Sequence, residues 1–378
     1  MTPTEAQKVI KVLVVDDSQA EQLLLTHLLA GDPRISVIGT AGNGREALEF
    51  LKHMQPDIIT MDLNMPELDG LSTTREIMAH KPVPIIIVTV DRSLTTASQA
   101  LLLIEAGAVA VIEKPFTADE ARQEELTSDL LRLVRNLSQV KLVHRHPLYL
   151  PANRSSARNI EGEVAQPMPL TRVVPQVPSA TPVKDVDLTR SYRCIAMGAS
   201  TGGPPVLKFL VDSLPDPLEV PVFIAQHMSP GFTEGFSHWL QKGVKHPVVI
   251  PTHGQRYRAG CIYMTPCNRL MGVDGNGFII LTPSMQKDYG FNSVTYLFTS
   301  IAREFGAGSL AVLLTGMGTD GASALKDLRD LGALTIAQDV QSSVVHGMPG
   351  EAIRLNGASM IMSPEQIARL INQVSLRL

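Results

Sequence analysis

Cysteine is scarce in this chain. Cys194, Cys261 and Cys267 are an odd number without the paired spacing of metal ligands, which disfavours both a disulfide framework and a zinc site. Cys194 falls within an apolar strand pattern and reads as a small, reduced core residue. Long apolar runs are missing too: no stretch is long enough to span a bilayer, and the opening Met1-Thr-Pro-Thr-Glu-Ala-Gln-Lys has no signal-peptide apolar region. The expectation is a soluble, cytoplasmic protein without membrane insertion. There is no long basic run, and the formal charge is −4 over 378 residues, so neither nucleic acid nor an anionic membrane is expected as the main partner. A chain of this length exceeds one average core, which predicts two domains.

The first third alternates short apolar runs with helical patterns. Lys11-Val-Leu-Val-Val-Asp16-Asp17, Ser36-Val-Ile-Gly-Thr-Ala, Asp57-Ile-Ile-Thr-Met-Asp62, Pro84-Ile-Ile-Ile-Val-Thr89 and Ala108-Val-Ala-Val-Ile-Glu-Lys114-Pro115 read as strands of five βα units. Such alternation predicts a doubly wound parallel sheet with its chemistry at the carboxyl ends of the strands. Asp16, Asp17 and Asp62 would converge there. Three carboxylates at close range need a cation, so Mg²⁺ is implied. Phosphoryl transfer to a carboxylate needs that metal and further donors, for which Lys114 and Thr89 are the candidates. Taken singly, Asp17 also reads as a helix N-cap and Lys114 as a solvated lysine.

From about Ile10 to Leu137 the chain resembles a response-regulator receiver domain. The matching motifs are Val-Val-Asp16-Asp17-Ser, Met-Asp62-Leu-Asn64-Met-Pro66-Glu-Leu-Asp-Gly70, Val-Thr89 and Glu-Lys114-Pro115-Phe. The resemblance implies that Asp62 accepts the phosphoryl group, that Asp17, Asp62 and the Asn64 carbonyl hold Mg²⁺ directly, and that Asp16 acts close by. It also implies that Thr89 and Lys114 contact the phosphoryl group and that the Lys114–Pro115 bond is cis. Val111 stands where many receivers carry an aromatic switch residue, so aromatic rotamer exchange is not expected. Thr117-Ala-Asp-Glu120 predicts a capping box opening a helix to about Leu137. Residues 138–188, rich in Pro, Ser, Ala and Arg, read as a linker.

Beyond the linker, Tyr192-Arg-Cys-Ile-Ala-Met-Gly198-Ala-Ser200-Thr-Gly202-Gly-Pro-Pro predicts strand, elbow and helix, with a serine hydroxyl held at the turn. Val220-Pro-Val-Phe-Ile-Ala-Gln226-His227 ends a strand in a histidine. Leu310-Ala-Val-Leu-Leu-Thr315-Gly-Met317-Gly-Thr-Asp320 ends another in a glycine-rich turn carrying an aspartate. Parallel strand ends share one edge, so Ser200, His227 and Asp320 can supply nucleophile, base and orienting acid. Backbone N–H groups near Met317 and after Ser200 are candidate oxyanion donors. An alternative set, Ser200, Asp320 and His346, reproduces the chain order of α/β-hydrolases. Residue type alone does not separate the two histidines.

From about Arg193 to Leu376 the chain resembles the catalytic domain of the chemotaxis protein-glutamate methylesterase family. The resemblance rests on Ala-Met-Gly-Ala-Ser200-Thr-Gly-Gly-Pro, Ile-Ala-Gln-His227-Met-Ser-Pro-Gly-Phe-Thr, Leu-Leu-Thr-Gly-Met317-Gly-Thr-Asp320-Gly-Ala, and Thr-Ile-Ala-Gln338-Asp339 with Gly-Met348-Pro-Gly-Glu-Ala. It implies a three-layer α/β/α domain over 189–378 after a receiver over 9–137. The implied activity is hydrolysis of γ-glutamyl methyl esters on chemoreceptors, and deamidation of receptor glutamines, with a histidine kinase as phosphodonor. The triad maps to Ser200, His227 and Asp320, Met317 joins the oxyanion site, Thr201 and Gln226 orient substrate or imidazole, and no metal is implied in this domain. Relatives often carry Pro-Ser-Val-Asp where this chain has Asn292-Ser-Val-Thr295, and the segment holding Cys261 and Cys267 also departs. Asn292 and Thr295 lie outside the triad motifs, so this departure is expected to bear on receptor choice or cleft shape and not on hydrolysis. The rival readings are a non-catalytic receptor-binding adaptor and a general carboxylesterase.

Overall fold

The computed structural model describes residues 9–89, 102–138, 190–228, 232–284 and 292–378. From residue 139 the expected linker lies outside the described residues. Two α/β units emerge, each built on a parallel sheet.

In the first, β1 (Ile10–Val15), β2 (Ile35–Ala41), β3 (Ile58–Met61), β4 (Ile85–Thr89) and β5 (Ala110–Glu113) form a parallel sheet in the order β2-β1-β3-β4-β5. These are the predicted apolar runs, and their alternating side chains feed two cores. One core lies under α2 (Gly44–His53) and α3 (Gly70–His80), the other under α1 (Gln19–Ala30) and α4 (Glu120–Leu137). Helix starts are fixed by short polar side chains. Ser18 caps α1, so Asp17 is not the cap, and Asn43 and Asp69 cap α2 and α3. At α4 the capping box predicted from Thr117 does not form. Asp119 caps instead, its carboxylate accepting the N–H groups of Ala121 and Arg122 at 3.1 and 3.3 Å, because an acid nearer the first turn satisfies two orphan donors at once. The Lys114–Pro115 bond is not cis; the cis peptide among the described residues is Asp216–Pro217.

In the second unit β6 (Ser191–Tyr192) pairs with β16 (Ser375–Leu376) and β11 (Arg269–Val273) with β12 (Ile279–Pro283), while seven parallel strands, with β9 (Val248–Val249), β10 (Ile262–Met264) and β15 (Met360–Met362) toward the edges, run in the order β15-β14-β13-β7-β8-β10-β9. Its centre is β7 (Cys194–Ala199), flanked by β8 (Val222–Gln226) and β13 (Ser309–Leu313). The chain runs outward from β7 through β8 on one side and from β13 through β14 (Leu334–Gln338) on the other, so the order reverses at β7. A crevice outside the strand ends at such a reversal is where doubly wound sheets bind ligands. Alternation along β7 makes the three layers. Ile195, Met197 and Ala199 enter the core shared with α5 (Gly203–Asp212), α6 (Thr233–Gln241) and α10 (Pro364–Ile371). Cys194 and Ala196 face α7 (Ser293–Glu304), α8 (Ala322–Asp330) and α9 (Met348–Arg354). Cys194 is a fully buried free thiol, as expected, and burial pushes its pKa up.

Gly198 matters to the packing. A Cβ there would lie 2.2 Å from Val294 Cγ1, so only glycine lets the first turn of α7 press against β7. Filling that space typically costs about 1–3 kcal/mol.

The units touch along the carboxyl edge of the seven-stranded sheet. Val344 and Val345 pack against the α1/α4 core of the first unit. Trp239 Nε1–H donates to Glu105 Oε1 at 3.0 Å, and Asn136 Nδ2–H donates to Met317 Sδ at 3.0 Å. Among the described residues no helix is long and apolar enough to cross a membrane.

Candidate active site and phosphoryl site

Ser200 follows β7 directly. Its N–H donates to Thr315 O at 3.0 Å and its carbonyl accepts from Gly203 N–H at 2.8 Å, which closes the strand-to-helix elbow. Gly202 sits at φ +78°, where a Cβ would also strike Val344 Cβ at 2.4 Å, so the turn requires glycine for two reasons. Pro204 and Pro205 occupy the first turn of α5, where missing N–H groups cost little.

His227 is brought alongside by register. β7 and β8 pair Ala199 with Gln226, and His227 N–H donates to Ala199 O at 3.1 Å. Ser200 and His227 are therefore the next facing pair on strands about 4.8 Å apart. Both line one cavity of about 250 Å³. His227 Nε2 lies 2.7 Å from Asp320 Oδ2, so the base and acid expected from the sequence meet.

Asp320 is buried, and its other contacts come from the start of α7. Oδ2 accepts from Val294 N–H at 3.0 Å, while Oδ1 accepts from Thr295 N–H at 2.8 Å and from the Thr295 hydroxyl at 2.5 Å. Burial alone would push the Asp320 carboxyl up. Hydrogen bonds from His227 and Thr295 outweigh it and hold the group below the ordinary carboxylate range. Thr295, outside the triad motifs of the sequence, thus bonds Asp320 directly. The reason is the close approach at Gly198, which aims the first turn of α7 at Asp320. A sequence signal existed: Ser293-Val-Thr opens an amphipathic helix, and helix N-termini receive carboxylates.

The alternative histidine is elsewhere. His346 Nδ1 lies 3.2 Å from Ser343 Oγ, burial lowers its pKa, and both Asp320 oxygens are already engaged by His227 and α7. Gln226 holds neither ring. Its Nε2 donates to the carbonyls of Ser200 and His227, at 2.9 Å each, tying the backbone of the two residues together. Thr201 and Met317 line the cavity, and Thr201 O accepts from the Thr315 hydroxyl at 2.9 Å.

The opposite wall of the cavity belongs to the first unit. Val111, Glu125, Asp129, Arg132 and Leu133 face Ser200 and His227 across it. Val111, the position lacking an aromatic, is part of this wall.

At the carboxyl edge of the five-stranded sheet, carboxylate oxygens of Asp16, Asp17 and Asp62 lie within 4.8 Å of one another. Lys114 Nζ stands 2.9 Å from Asp16 Oδ2 and 3.2 Å from Asp62 Oδ1. Lys114 is buried rather than solvated. Burial opposes its charge, but hydrogen bonds to Glu21 and Asp16 prevail and raise its pKa. Burial pushes Asp62 up, and Lys114 offsets this only in part while Asp16 adds to it. Thr89 is buried at the end of β4, its carbonyl accepting from Lys114 N–H at 2.8 Å. Asn64 is exposed in the turn after Asp62. Glu21, which pairs with Lys114 from α1, was not anticipated, because nothing local in the sequence distinguishes it from a first-turn helix acid.

The family model for CheB methylesterase matches residues 195–371 and that for the response regulator receiver domain residues 12–124. The protein-glutamate methylesterase/protein-glutamine glutaminase 1 of Syntrophus aciditrophicus is 43% identical over 363 residues, covering 96% of this chain and 97% of that protein. The protein of Nitrosospira multiformis named protein-glutamate methylesterase/protein-glutamine glutaminase is 40% identical over 365 residues, covering 97% of each. The solved Thermotoga maritima CheB methylesterase catalytic domain aligns at 28% identity and TM-score 0.46, covering 49% of this chain and all of that one. With two receiver and methylesterase regions in the same order and 43% identity to a relative covered over 97% of its length, the chain belongs to the protein-glutamate methylesterase/protein-glutamine glutaminase family.

Proposed function

We propose that this protein hydrolyses γ-glutamyl methyl esters on chemoreceptors to glutamate and methanol, deamidates receptor glutamines at the same centre, and is controlled by phosphorylation of Asp62. The observation that carries the reading is the 2.7 Å His227–Asp320 contact beside Ser200 at adjacent strand ends. Nε2–H of His227 donates to Asp320, which leaves Nδ1 to take the Ser200 proton. Ser200 Oγ then attacks the ester carbonyl carbon. The resulting oxyanion is stabilised by backbone N–H groups near Met317 and after Ser200, each typically worth about 3–4 kcal/mol. Collapse breaks the C–O bond, and His227 returns its proton to the leaving methoxide as methanol. Water, deprotonated by His227, hydrolyses the acyl-serine and releases glutamate and free Ser200. A glutamine substrate follows the same path with ammonia as the leaving group.

Three carboxylates whose oxygens lie within 4.8 Å of one another fit a divalent cation. Asp16, Asp17, Asp62 and the Asn64 carbonyl would hold Mg²⁺, which neutralises charge on the incoming phosphoryl group. Asp62 accepts that group from a histidine kinase, and Lys114 and Thr89 bind its oxygens. The units act as a receiver over 9–137, a linker over 138–188 and a catalytic domain over 189–378, in the cytoplasm and without nucleic acid. The receiver wall over the cavity excludes receptor helices. A phosphoryl group adds about −1.5 to −2 charge at Asp62, and each tenfold gain in the open population requires about 1.4 kcal/mol of difference between states. Val344 and Val345 packed on the receiver core support covering as the means of inhibition.

Methanol release from methylated receptor helices, followed by mass spectrometry of the glutamyl sites, tests the reading. Site-specific loss of methyl groups that depends on Ser200 and His227 but not His346 supports it. Receptor binding without methyl loss would favour the adaptor, and rapid turnover of small esters without receptor preference the general carboxylesterase.

A further inference from the structure

The Thr295 hydroxyl links the catalytic acid to the turn that carries it. Gly321 N–H donates to Thr295 Oγ1 at 2.8 Å, and Thr295 Oγ1 lies 2.5 Å from Asp320 Oδ1. A hydroxyl has one proton to give. With a backbone N–H pointing at its oxygen and a carboxylate in reach, that proton lies on the line to Asp320. The Asp320 carboxylate is then gripped on both oxygens. Oδ1 is held by Thr295 through N–H and O–H, and Oδ2 by Val294 N–H, so Oδ2 has one direction left, toward His227 Nε2. Gly321 fixes the other side: at φ +80° it opens α8, and a Cβ there would strike Val294 Cγ1 at 2.4 Å.

We propose that Thr295 is a positioning residue for the hydrolysis, its hydroxyl fixing the rotation of the Asp320 carboxylate and drawing its charge toward Oδ1, so that His227 Nε2 is held on Asp320 Oδ2 with its ring fixed beside Ser200. The inference rests on the proposed Ser200, His227 and Asp320 mechanism and names a fourth side chain that tunes it.

The sign of the effect follows. Without the Thr295 donor the Asp320 carboxylate is a stronger acceptor for the imidazole N–H, so the acid limb of the reaction is expected at higher pH. His227 is the titratable group bonded to Asp320, and Glu125, Asp129 and Arg132 of α4 face the same cavity; none of these is altered by changing Thr295.

The test is the pH profile of kcat/KM for methyl release by the full chain and its Thr295→Val and Thr295→Ser variants. Val keeps the shape without the hydroxyl and Ser keeps the hydroxyl. The expected result for Val is a roughly tenfold to hundredfold loss, the range for removing a hydrogen bond to a charged group, with the acid limb displaced to higher pH. Ser should restore both. An acid limb that stays in place in Val, whatever happens to rate or melting temperature, overturns the proposal. His227 imidazole titration by NMR in a Ser200→Ala background, with and without Thr295→Ala, reads the same linkage without turnover. An unmoved titration there also overturns it. If the unaltered protein releases no methanol, the proposed function fails, while this titration still decides the role of Thr295.

Discussion

The receiver and catalytic units solve the same folding problem with opposite electrostatics. Each is a doubly wound parallel sheet whose polar residues sit at the carboxyl ends of its strands. The receiver end gathers like charges: Asp16, Asp17 and Asp62 cluster, with Lys114 against Asp16 and Asp62, and burial leaves Asp62 harder to ionise than an ordinary carboxyl. The catalytic end presents one carboxylate, Asp320, whose burial is overcome by His227, Thr295 and the α7 N-terminus. Burial thus prevails at Asp62 in the first, while hydrogen bonds prevail over burial at Asp320 in the second. The proposed regulation puts the carboxyl that burial keeps hard to ionise on the unit that walls the cavity of the other.

Breaking the catalytic site should have the largest effect. Ser200→Ala should lower kcat by roughly 10⁵- to 10⁶-fold, by analogy with other triads, and His227→Ala comparably. His346→Ala should stay within a few-fold of the unaltered protein, as methanol release will read. Breaking the receiver site should leave basal turnover intact. Asp62→Asn should abolish stimulation by acetyl phosphate and Mg²⁺, seen as a flat rate where the unaltered chain rises tenfold or more.

Calorimetry sharpens the contrast, because the two pKa shifts have opposite signs. Asp320, held low, stabilises the fold above the ordinary carboxylate range, and this is lost as pH falls through its folded value. Asp320→Asn should therefore lower the melting temperature at pH 7, with a difference that narrows in acid. Asp62, held high, destabilises the ionised fold. Asp62→Asn should raise the melting temperature at pH 7 in chelator, and that gain should vanish below the ordinary carboxylate range. The smallest expected effect is at Glu21, partly exposed beside Lys114. Glu21→Gln should tighten binding of beryllofluoride by roughly two- to fivefold, the scale of a partly exposed ion pair, measurable by titration.

Most of this was legible in the sequence because parallel strands announce themselves. Apolar, β-branched runs end in Asp16, Asp62, Thr89, Lys114, Ser200 and His227, and the carboxyl-edge rule gathers them without knowledge of any contact. What was not legible depends on packing between distant segments. Thr295 reaches Asp320 because Gly198 lets α7 close on β7. Glu21 reaches Lys114 across 93 residues, and Trp239 finds Glu105 across 134. The choice of Asp119 over Thr117 as a helix cap turned on backbone geometry that residue type leaves open.

The most direct measurement of the whole account is the rate at which a serine-reactive phosphonate labels Ser200 in the full chain, before and after acetyl phosphate and Mg²⁺. A Ser200 made nucleophilic by His227 and covered by the receiver predicts slow labelling that accelerates at least tenfold on phosphorylation, with no acceleration in Asp62→Asn and no label in His227→Ala. Labelling that is absent in both states, or equally fast in both, would contradict it.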